Sequence, residues 1–243
     1  MTILKTVGII PARLNSSRFP RKLLHPLKDK SVIEHTLLKA QTFSVLDDLF
    51  VATDSLEIAQ IAKQNDVKVI MTSSQPISGT DRIREAVLSN ASLQNVNILV
   101  NLQEDHPFTS EKTVASILAL LNSDPFAEVA TAAVPLHDKE RAESPDIVKC
   151  VFDHYQNALY FSRSLIPYQA DTYYHHIGIY AYRKRFLMRL SDLKQAHLEK
   201  CEDLEQLRFL ENGIRLKVAL SEDPAQGVDQ PKDILRCEKL LCP

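Results

Sequence analysis

Glycine is scarce in this chain. Five occur among 243 residues, against roughly 7% in an average protein, and a backbone loop that wraps closely around phosphate usually needs them. The glycine-dependent signatures are missing too: there is no G-x-x-x-x-G-K-[ST] loop, no G-x-G-x-x-G turn and no G-x-S-x-G elbow. That argues against P-loop, dinucleotide-dehydrogenase and hydrolase chemistry. The four cysteines, Cys150, Cys201, Cys237 and Cys242, are widely spaced and form no C-x-x-C pair. The common zinc spacings are therefore absent, and reduced thiols are expected rather than a disulfide framework. No apolar run approaches the ~20 residues that cross a bilayer, so no membrane insertion is expected. The start, Met1-Thr2-Ile3-Leu4-Lys5, leads straight into a strand without the layout of a signal peptide, which gives the expectation of a cytoplasmic protein. Net positive charge is lacking as well: at −2, the chain does not look like a nucleic-acid binder. Without repeats, low-complexity segments or linkers, residues 1–243 are expected to form one domain.

What is present is an ordinary globular composition, 44% hydrophobic and 25% charged, with strands and helices in alternation. Val7–Ile10, Leu49–Ala52, Val67–Met71, Asn97–Leu102 and Val129–Val134 read as strands. Between them lie helical patterns: one capped by Ser31 and Glu34 and running to about Thr42, then Leu56–Lys63 with Asp54 as N-cap, Asp81–Leu88, and Glu111–Leu121. This alternation predicts an α/β fold with a mainly parallel sheet and helices on both faces. After Pro135 the rhythm changes. Ile147–Phe152, Ala158–Phe161 and Ile177–Tyr182 read as strands without intervening helices, predicting a smaller antiparallel portion inserted at about 136–185. A long helix over Glu202–Glu211 stopped by Asn212-Gly213, a strand at Arg215–Leu220 and a helix at Pro231–Leu241 complete the pattern.

Ligands of open α/β sheets bind beyond the carboxyl ends of the strands. The first strand runs directly into Arg13, Arg18, Arg21 and Lys22, so a phosphate-binding loop is expected there, the alternative being a solvated basic turn. Ser78-Gly79-Thr80 opens a helix, where a serine or threonine can cap and a glycine permits close approach. Asn101-Leu102-Gln103-Glu104-Asp105 follows another strand, and a carboxylate in that position suits a hard cation such as Mg²⁺ or simply closes a charged turn. Glu202, Glu205 and Gln206, at i, i+3 and i+4, would share one helix face. His175 and His176 are adjacent on a strand and would point to opposite faces, which favours one histidine contacting a substrate over a zinc pair.

In order along the chain stand Ile-Ile-Pro-Ala-Arg (9–13), Ser-Ser-Arg-Phe-Pro (16–20), Ser-Gly-Thr-Asp-Arg (78–82), Asn-Leu-Gln (101–103), Ala-Leu-Tyr-Phe-Ser-Arg-Ser (158–164), His-Ile-Gly-Ile-Tyr (176–180), Leu-Glu-Gln-Leu-Arg (204–208) and Val-Asp-x-Pro (228–231). Taken together these segments resemble the 3-deoxy-D-manno-octulosonate (Kdo) cytidylyltransferase family over essentially the whole chain. The resemblance implies a nucleotide-diphospho-sugar transferase-like fold with a dimerisation subdomain, hence a homodimer. It also implies transfer of CMP from CTP to the acidic sugar Kdo, with release of pyrophosphate, for lipopolysaccharide synthesis.

By the same resemblance, Arg13, Lys22 and Asp105 would be the catalytic residues. Ala12, Arg13, Ser16, Lys22, Ser78, Gly79, Thr80 and Gln103 would line the nucleotide. Gln103, Arg163, His176, Tyr180, Glu205 and Gln206 would contact the sugar, with Arg163 suited to its carboxylate, and Asp105 and Asp229 would hold Mg²⁺. The chain differs from the family pattern where Pro20-Arg21-Lys22 replaces Pro-Gly-Lys and where Gln103-Glu104-Asp105-His106-Pro107 replaces Gln-Gly-Asp-Glu-Pro; the connection from Pro167 to His176 is also short. If the replaced glycines have positive φ, each change costs roughly 1 kcal/mol or more. Two alternatives stay open at this point: a catalytically impaired homologue that binds nucleotide or a partner protein, and transfer to another acceptor, such as a sialic-class sugar or a molybdenum cofactor.

Overall fold

The first strand, β1 (Thr6–Ala12), is buried at every position, as expected of a run that is apolar on both faces. The structure, a computed structural model, describes residues 4–14, 19–76, 78–194, 196–223 and 226–241. After β1 come a short hairpin, β2 (Pro26–Leu27) and β3 (Lys30–Ser31), then α1 (Val32–Gln41), β4 (Asp48–Thr53), α2 (Leu56–Gln64), β5 (Lys68–Met71), α3 (Gly79–Ser89) and β6 (Ile98–Asn101). β1 pairs in parallel with β4 and β6, and β4 with β5. The predicted capping box of α1 is present: Ser31 and Glu34 satisfy one another's backbone amides. At α2 the cap is Ser55, whose Oγ accepts from the Ile58 amide at 3.3 Å, and not Asp54. The Asp54 carboxylate instead accepts from buried Arg82 at 3.3 Å.

The following elements are α4 (Glu111–Ser123), β7 (Val129–Leu136), α5 (Lys139–Glu143), β8 (Lys149–Phe152), β9 (Ala158–Ser162), β10 (Tyr173–Arg183), α6 (Lys184–Met188), α7 (His197–Glu202), α8 (Glu205–Glu211) and β11 (Leu216–Leu220). β10 pairs antiparallel with β7 and β8, and β8 with β9, while β11 lies parallel to β7. The long helix expected over Glu202–Glu211 is two helices. Asp203 takes a left-handed conformation (φ 53°), α7 ends at Glu202, and α8 begins at Glu205. Glu202 therefore does not share a helix face with Glu205 and Gln206. The chain ends in α9 (Pro231–Leu240), with Pro231 in its first turn as predicted.

The chain divides into two compact units, residues 1–111 with 226–243 and residues 112–225. The first holds the all-parallel strands β1, β4, β5 and β6 with their crossover helices. The second holds the largely antiparallel strands β7 to β11, in keeping with the change of rhythm after Pro135. Among the described residues no helix is long and apolar enough to cross a membrane, and Cys150, Cys201 and Cys237 are free thiols. Burial pushes the Cys150 thiol up to about 12.

Candidate active site

In the first unit, β1 and β6 pair as far as Ile9 and Asn101, and the Leu102 amide donates to the Ile9 carbonyl at 3.0 Å. The register carries Gln103, Glu104 and Asp105 past the end of the sheet, on the side where Ala12 and Arg13 leave β1. The Thr36 hydroxyl on α1 donates to the Glu104 carbonyl at 3.0 Å and holds this turn.

Lys22 and Asp229 arrive by apolar packing rather than by strand pairing. Phe19 and Leu27 bracket Lys22, and Val228 precedes Asp229. These three pack with Val32, Ile234 and Cys237 in one buried cluster. Each large apolar side chain buried in this way contributes about 1.5–3 kcal/mol, enough to draw a lysine under cover. Lys22, 9% exposed as a residue, donates from its ammonium to Asp105 Oδ2 in a buried ion pair, and the same nitrogen lies 3.7 Å from Asp229 Oδ1. The Val228 amide donates to the Asp105 carbonyl at 3.0 Å. Asp233 accepts from the amides of Asp229 and Gln230 at 3.1 and 2.8 Å, which caps α9 and fixes the backbone of Asp229.

The charges in this cluster shift one another. Burial disfavours the charged form of Lys22, but Asp105, Glu104 and Asp229 outweigh it and raise its pKa. Burial likewise works to raise Asp105, yet the charges of His106 and Lys22 hold it below the ordinary carboxylate range. Glu104 goes the other way: burial and the neighbouring Asp105 raise it to about 7, with Lys22 and Arg13 pulling against them. Arg13 itself is exposed.

The two replaced glycine positions behave differently. Arg21 has φ 58° and ψ 25°, and its guanidinium forks onto the Glu57 carboxylate at 2.7 and 2.9 Å. Glu104 is not among the residues with positive φ, so left-handed strain falls on Arg21 alone of the two. His106 packs against Gly227, where a Cβ would meet its ring at 2.5–2.7 Å; its Nε2 lies 3.8 Å from Asp105 Oδ1.

At the start of α3, Ser78 is the cap, accepting from the Asp81 amide at 3.1 Å. Gly79 sits where a Cβ would come within 3.2 Å of Pro11 Cγ, so the close approach it permits is to β1. Thr80 is buried, and Gln103 is half-buried. Ser16 lies outside the described residues. Asn101 Oδ1 is buried without a hydrogen-bond partner among the described residues, a feature that the strand reading of Asn97–Leu102 did not single out.

In the second unit His176 and Tyr180, both buried, lie on β10. The His176 ring meets Phe161 edge-on at 4.9 Å and Tyr180 at 5.6 Å, and Tyr180 stacks on Tyr182. Burial, Tyr182 and Glu205 raise the Tyr180 phenol well above its ordinary value, so it stays a neutral hydrogen-bonding group. Phe209 of α8 packs edge-on against Tyr182 at 6.5 Å, which seats α8 on β10. Glu205 accepts from Arg208 at 2.8 Å. Gln206 is 4% exposed, and its Nε2 has no hydrogen-bond partner among the described residues.

Arg163 uses three of its five N–H donors on backbone carbonyls, those of Glu202, Pro145 and Asp203, at 2.8, 3.1 and 3.3 Å. The Glu202 carboxylate receives the Ser162 hydroxyl and the Arg163 amide at 2.6 and 2.8 Å. Fully buried Lys149 donates to the carbonyls of Ser144, Ile147 and Arg163 at 2.9, 2.6 and 2.6 Å. The break at Asp203 is what frees Glu202 for this anchoring role.

Among the described residues no three His, Cys, Asp or Glu side chains are grouped to hold a metal; the first unit offers two carboxylates and a lysine. The cytidylyltransferase family model matches residues 7–218. The chain is 40% identical to 3-deoxy-manno-octulosonate cytidylyltransferase of Protochlamydia amoebophila, covering 97% of this chain and 94% of that one. It is 41% identical to 8-amino-3,8-dideoxy-manno-octulosonate cytidylyltransferase of Shewanella frigidimarina, covering 98% and 99%. Its structure superposes on that of a CMP:2-keto-3-deoxy-manno-octonic acid synthetase complexed with CTP with a TM-score of 0.90, at 35% identity and 98% coverage of both chains. An α/β chain that is alike from end to end in sequence and in fold belongs to the cytidylyltransferase family, among the manno-octulosonate cytidylyltransferases.

Proposed function

We propose that this protein transfers CMP from CTP to the anomeric hydroxyl of a 3-deoxy-manno-octulosonate sugar, releasing pyrophosphate. The observation that carries this reading is the convergence of Lys22, Asp105 and Asp229 beyond the strand ends. It occurs in a chain that aligns along nearly its whole length with relatives of that activity.

The reaction is an in-line displacement at the α-phosphorus, which depends mainly on positioning and on neutralising phosphate charge. Lys22 and Arg13 serve as cations for the triphosphate. Ala12, Ser78, Gly79, Thr80 and Gln103 line the nucleotide, and Ser16 belongs to the same group. A divalent cation, Mg²⁺ by its preference for carboxylate oxygens, suits Asp105 and Asp229: both already face one positive group, the Lys22 ammonium. When bound, it supplies further neutralisation of the phosphate charge. Lys22 then has a choice of partners, and turning from Asp105 to the triphosphate leaves that carboxylate for the cation.

In the second unit His176, Tyr180, Glu205 and Gln206 serve the sugar. The buried amide nitrogen of Gln206 supports a polar ligand, because an unsatisfied buried donor costs about 1–3 kcal/mol. Arg163 offers the sugar carboxylate its positive charge and its two remaining N–H groups. A homodimer, a cytoplasmic location and a place in lipopolysaccharide synthesis belong to the same reading.

A pyrophosphate-release assay tests it. CTP, Mg²⁺ and either Kdo or its 8-amino analogue should give sugar-dependent pyrophosphate, and omitting the metal should stop it. Binding of CTP without turnover on any acidic sugar would overturn the reading in favour of an impaired homologue.

A further inference from the structure

Thr131 stands in the middle of β7, in a run that reads Val-Ala-Thr-Ala-Ala-Val, and its side chain is fully buried. A threonine there looks like an ordinary β-branched strand residue. Its surroundings are not ordinary. β10 loses register against β7 at this point: Ile177 faces Ala132 and Tyr180 faces Thr131, so β10 advances three residues where β7 advances one. A bulge of this kind takes backbone groups out of the ladder, and buried carbonyls then need another donor.

The Thr131 hydroxyl fills that need. Its Oγ1 lies 2.7 Å from the Ile179 carbonyl and 3.3 Å from the Ile177 carbonyl. On the same oxygen, at 2.9 Å, is Nε2 of His176. A hydroxyl has one proton to give and two lone pairs to receive with. Both carbonyls can only accept, whereas an imidazole nitrogen can donate. The arrangement that satisfies the groups sends the hydroxyl proton to Ile179 and has Nε2–H of His176 donate to Oγ1.

We propose that Thr131 is a positioning residue that holds His176 in the Nε2–H tautomer and thereby sets how the ring meets the acceptor sugar. In that tautomer Nδ1 is the accepting nitrogen of the ring. The edge-on contact with Phe161 and the tilted one with Tyr180 hold the ring plane, and Thr131 fixes its protons. The same hydroxyl ties the bulge that separates His176 from Tyr180, so one side chain sets the spacing of two sugar-facing groups. This inference rests on the proposed acceptor reading for its functional half only.

The test has two arms. In ¹⁵N-labelled protein at about pH 8, above the ordinary imidazole range, His176 should show a protonated Nε2 and an unprotonated Nδ1, its signal identified by its loss in His176→Gln. In Thr131→Val the signal should move toward a mixture of tautomers, and in Thr131→Ser it should stay as in the native protein. In kinetics, Thr131→Val should raise the KM for the acidic sugar about tenfold, the worth of one hydrogen bond. The KM for CTP should change less than about twofold, and Thr131→Ser should restore the sugar KM.

Protonation of His176 on Nδ1 in the native protein would overturn the proposal. So would a Val variant with an unchanged tautomer, or equal losses for CTP and sugar. The native spectrum decides even if the Val variant does not fold. The expected tautomer in a protein without sugar-dependent turnover would remove the acceptor reading and leave the Thr131–His176 assignment standing.

Discussion

In the first unit the charged residues of the candidate site are held by one another, whereas three of those in the second, His176, Tyr180 and Gln206, are two rings and an amide held by packing and hydrogen-bond direction. Lys22, Asp105, Asp229 and Glu104 crowd together, and each moves the ionisation of its neighbours. His176 and Tyr180 are buried and fixed by Phe161, Tyr182 and Thr131, and Gln206 is carried on α8, which Phe209 seats against Tyr182. On the proposed function the difference follows from the ligands. A triphosphate is recognised by charge, which acts over distance and tolerates small displacements. A sugar presents hydroxyls, which discriminate only through directed donors and acceptors.

The largest expected effect is at the centre of the charged group. Asp105→Asn should lower sugar-dependent pyrophosphate release about 10²–10³-fold, the range seen when one electrostatic stabiliser is lost. It should also destabilise the fold by about 3 kcal/mol, because Lys22 stays buried with its main counter-charge gone. Near-native turnover in that variant would break the distinction between the two units at its strongest point.

Next in size is a pH effect on stability. Glu104 has an ordinary carboxylate pKa of 4.5 unfolded and about 7 folded. Between those values the native state holds a proton that the unfolded state has released, so native stability falls as pH rises from 4.5 to 7. Glu104→Gln removes the titration. Its stability relative to the native protein should therefore grow across that window by roughly 1–3 kcal/mol and level off above it. Urea denaturation at a series of pH values reads this directly, and parallel curves for the two proteins would show that Glu104 ionises normally.

The second unit should respond in the opposite manner, with binding lost and stability kept. Gln206→Leu removes a buried donor that has no partner among the described residues. Stability should move by about 1 kcal/mol or less, while the KM for the sugar should rise about tenfold and that for CTP stay put. A large stability loss would mean that the amide serves the fold.

How much of this was legible in the sequence depended on whether the cause was local. Ser31 and Glu34 announce a helix start because the capping box needs only four consecutive residues. The buried strand β1 is visible because its apolar run needs no partner to be recognised. The break between α7 and α8 left no such trace. Asp203 is left-handed in a stretch whose leucine spacing continues the helical pattern, and the carboxylate of Glu202 is used against Ser162 and Arg163 instead. Lys22 and Asp229 are joined by the cluster of Phe19, Leu27, Val228 and Ile234; motif order suggested their grouping, and no spacing could. Thr131 was invisible because its importance comes from a bulge in another strand.

The smallest expected effect concerns Arg21, where the charged unit departs from its own rule. Its guanidinium does not face the cluster but forks onto Glu57, with the two side chains 57% and 49% exposed. A pair so exposed contributes about 0–1 kcal/mol, while a left-handed non-glycine residue costs about 1–2 kcal/mol. Glycine would relieve that strain but would itself lose about 0.5–1 kcal/mol through greater freedom in the unfolded chain. The terms nearly cancel, so Arg21→Gly should change stability by about 1 kcal/mol or less. With its guanidinium committed to Glu57, the KM for CTP should change less than about threefold, against the far larger loss expected at Asp105. Should the CTP KM instead rise tenfold at unchanged stability, Arg21 leaves Glu57 when nucleotide binds. The charge cluster would then extend from Lys22 to the start of α2, with Glu57 acting as the resting counter-ion of a phosphate ligand.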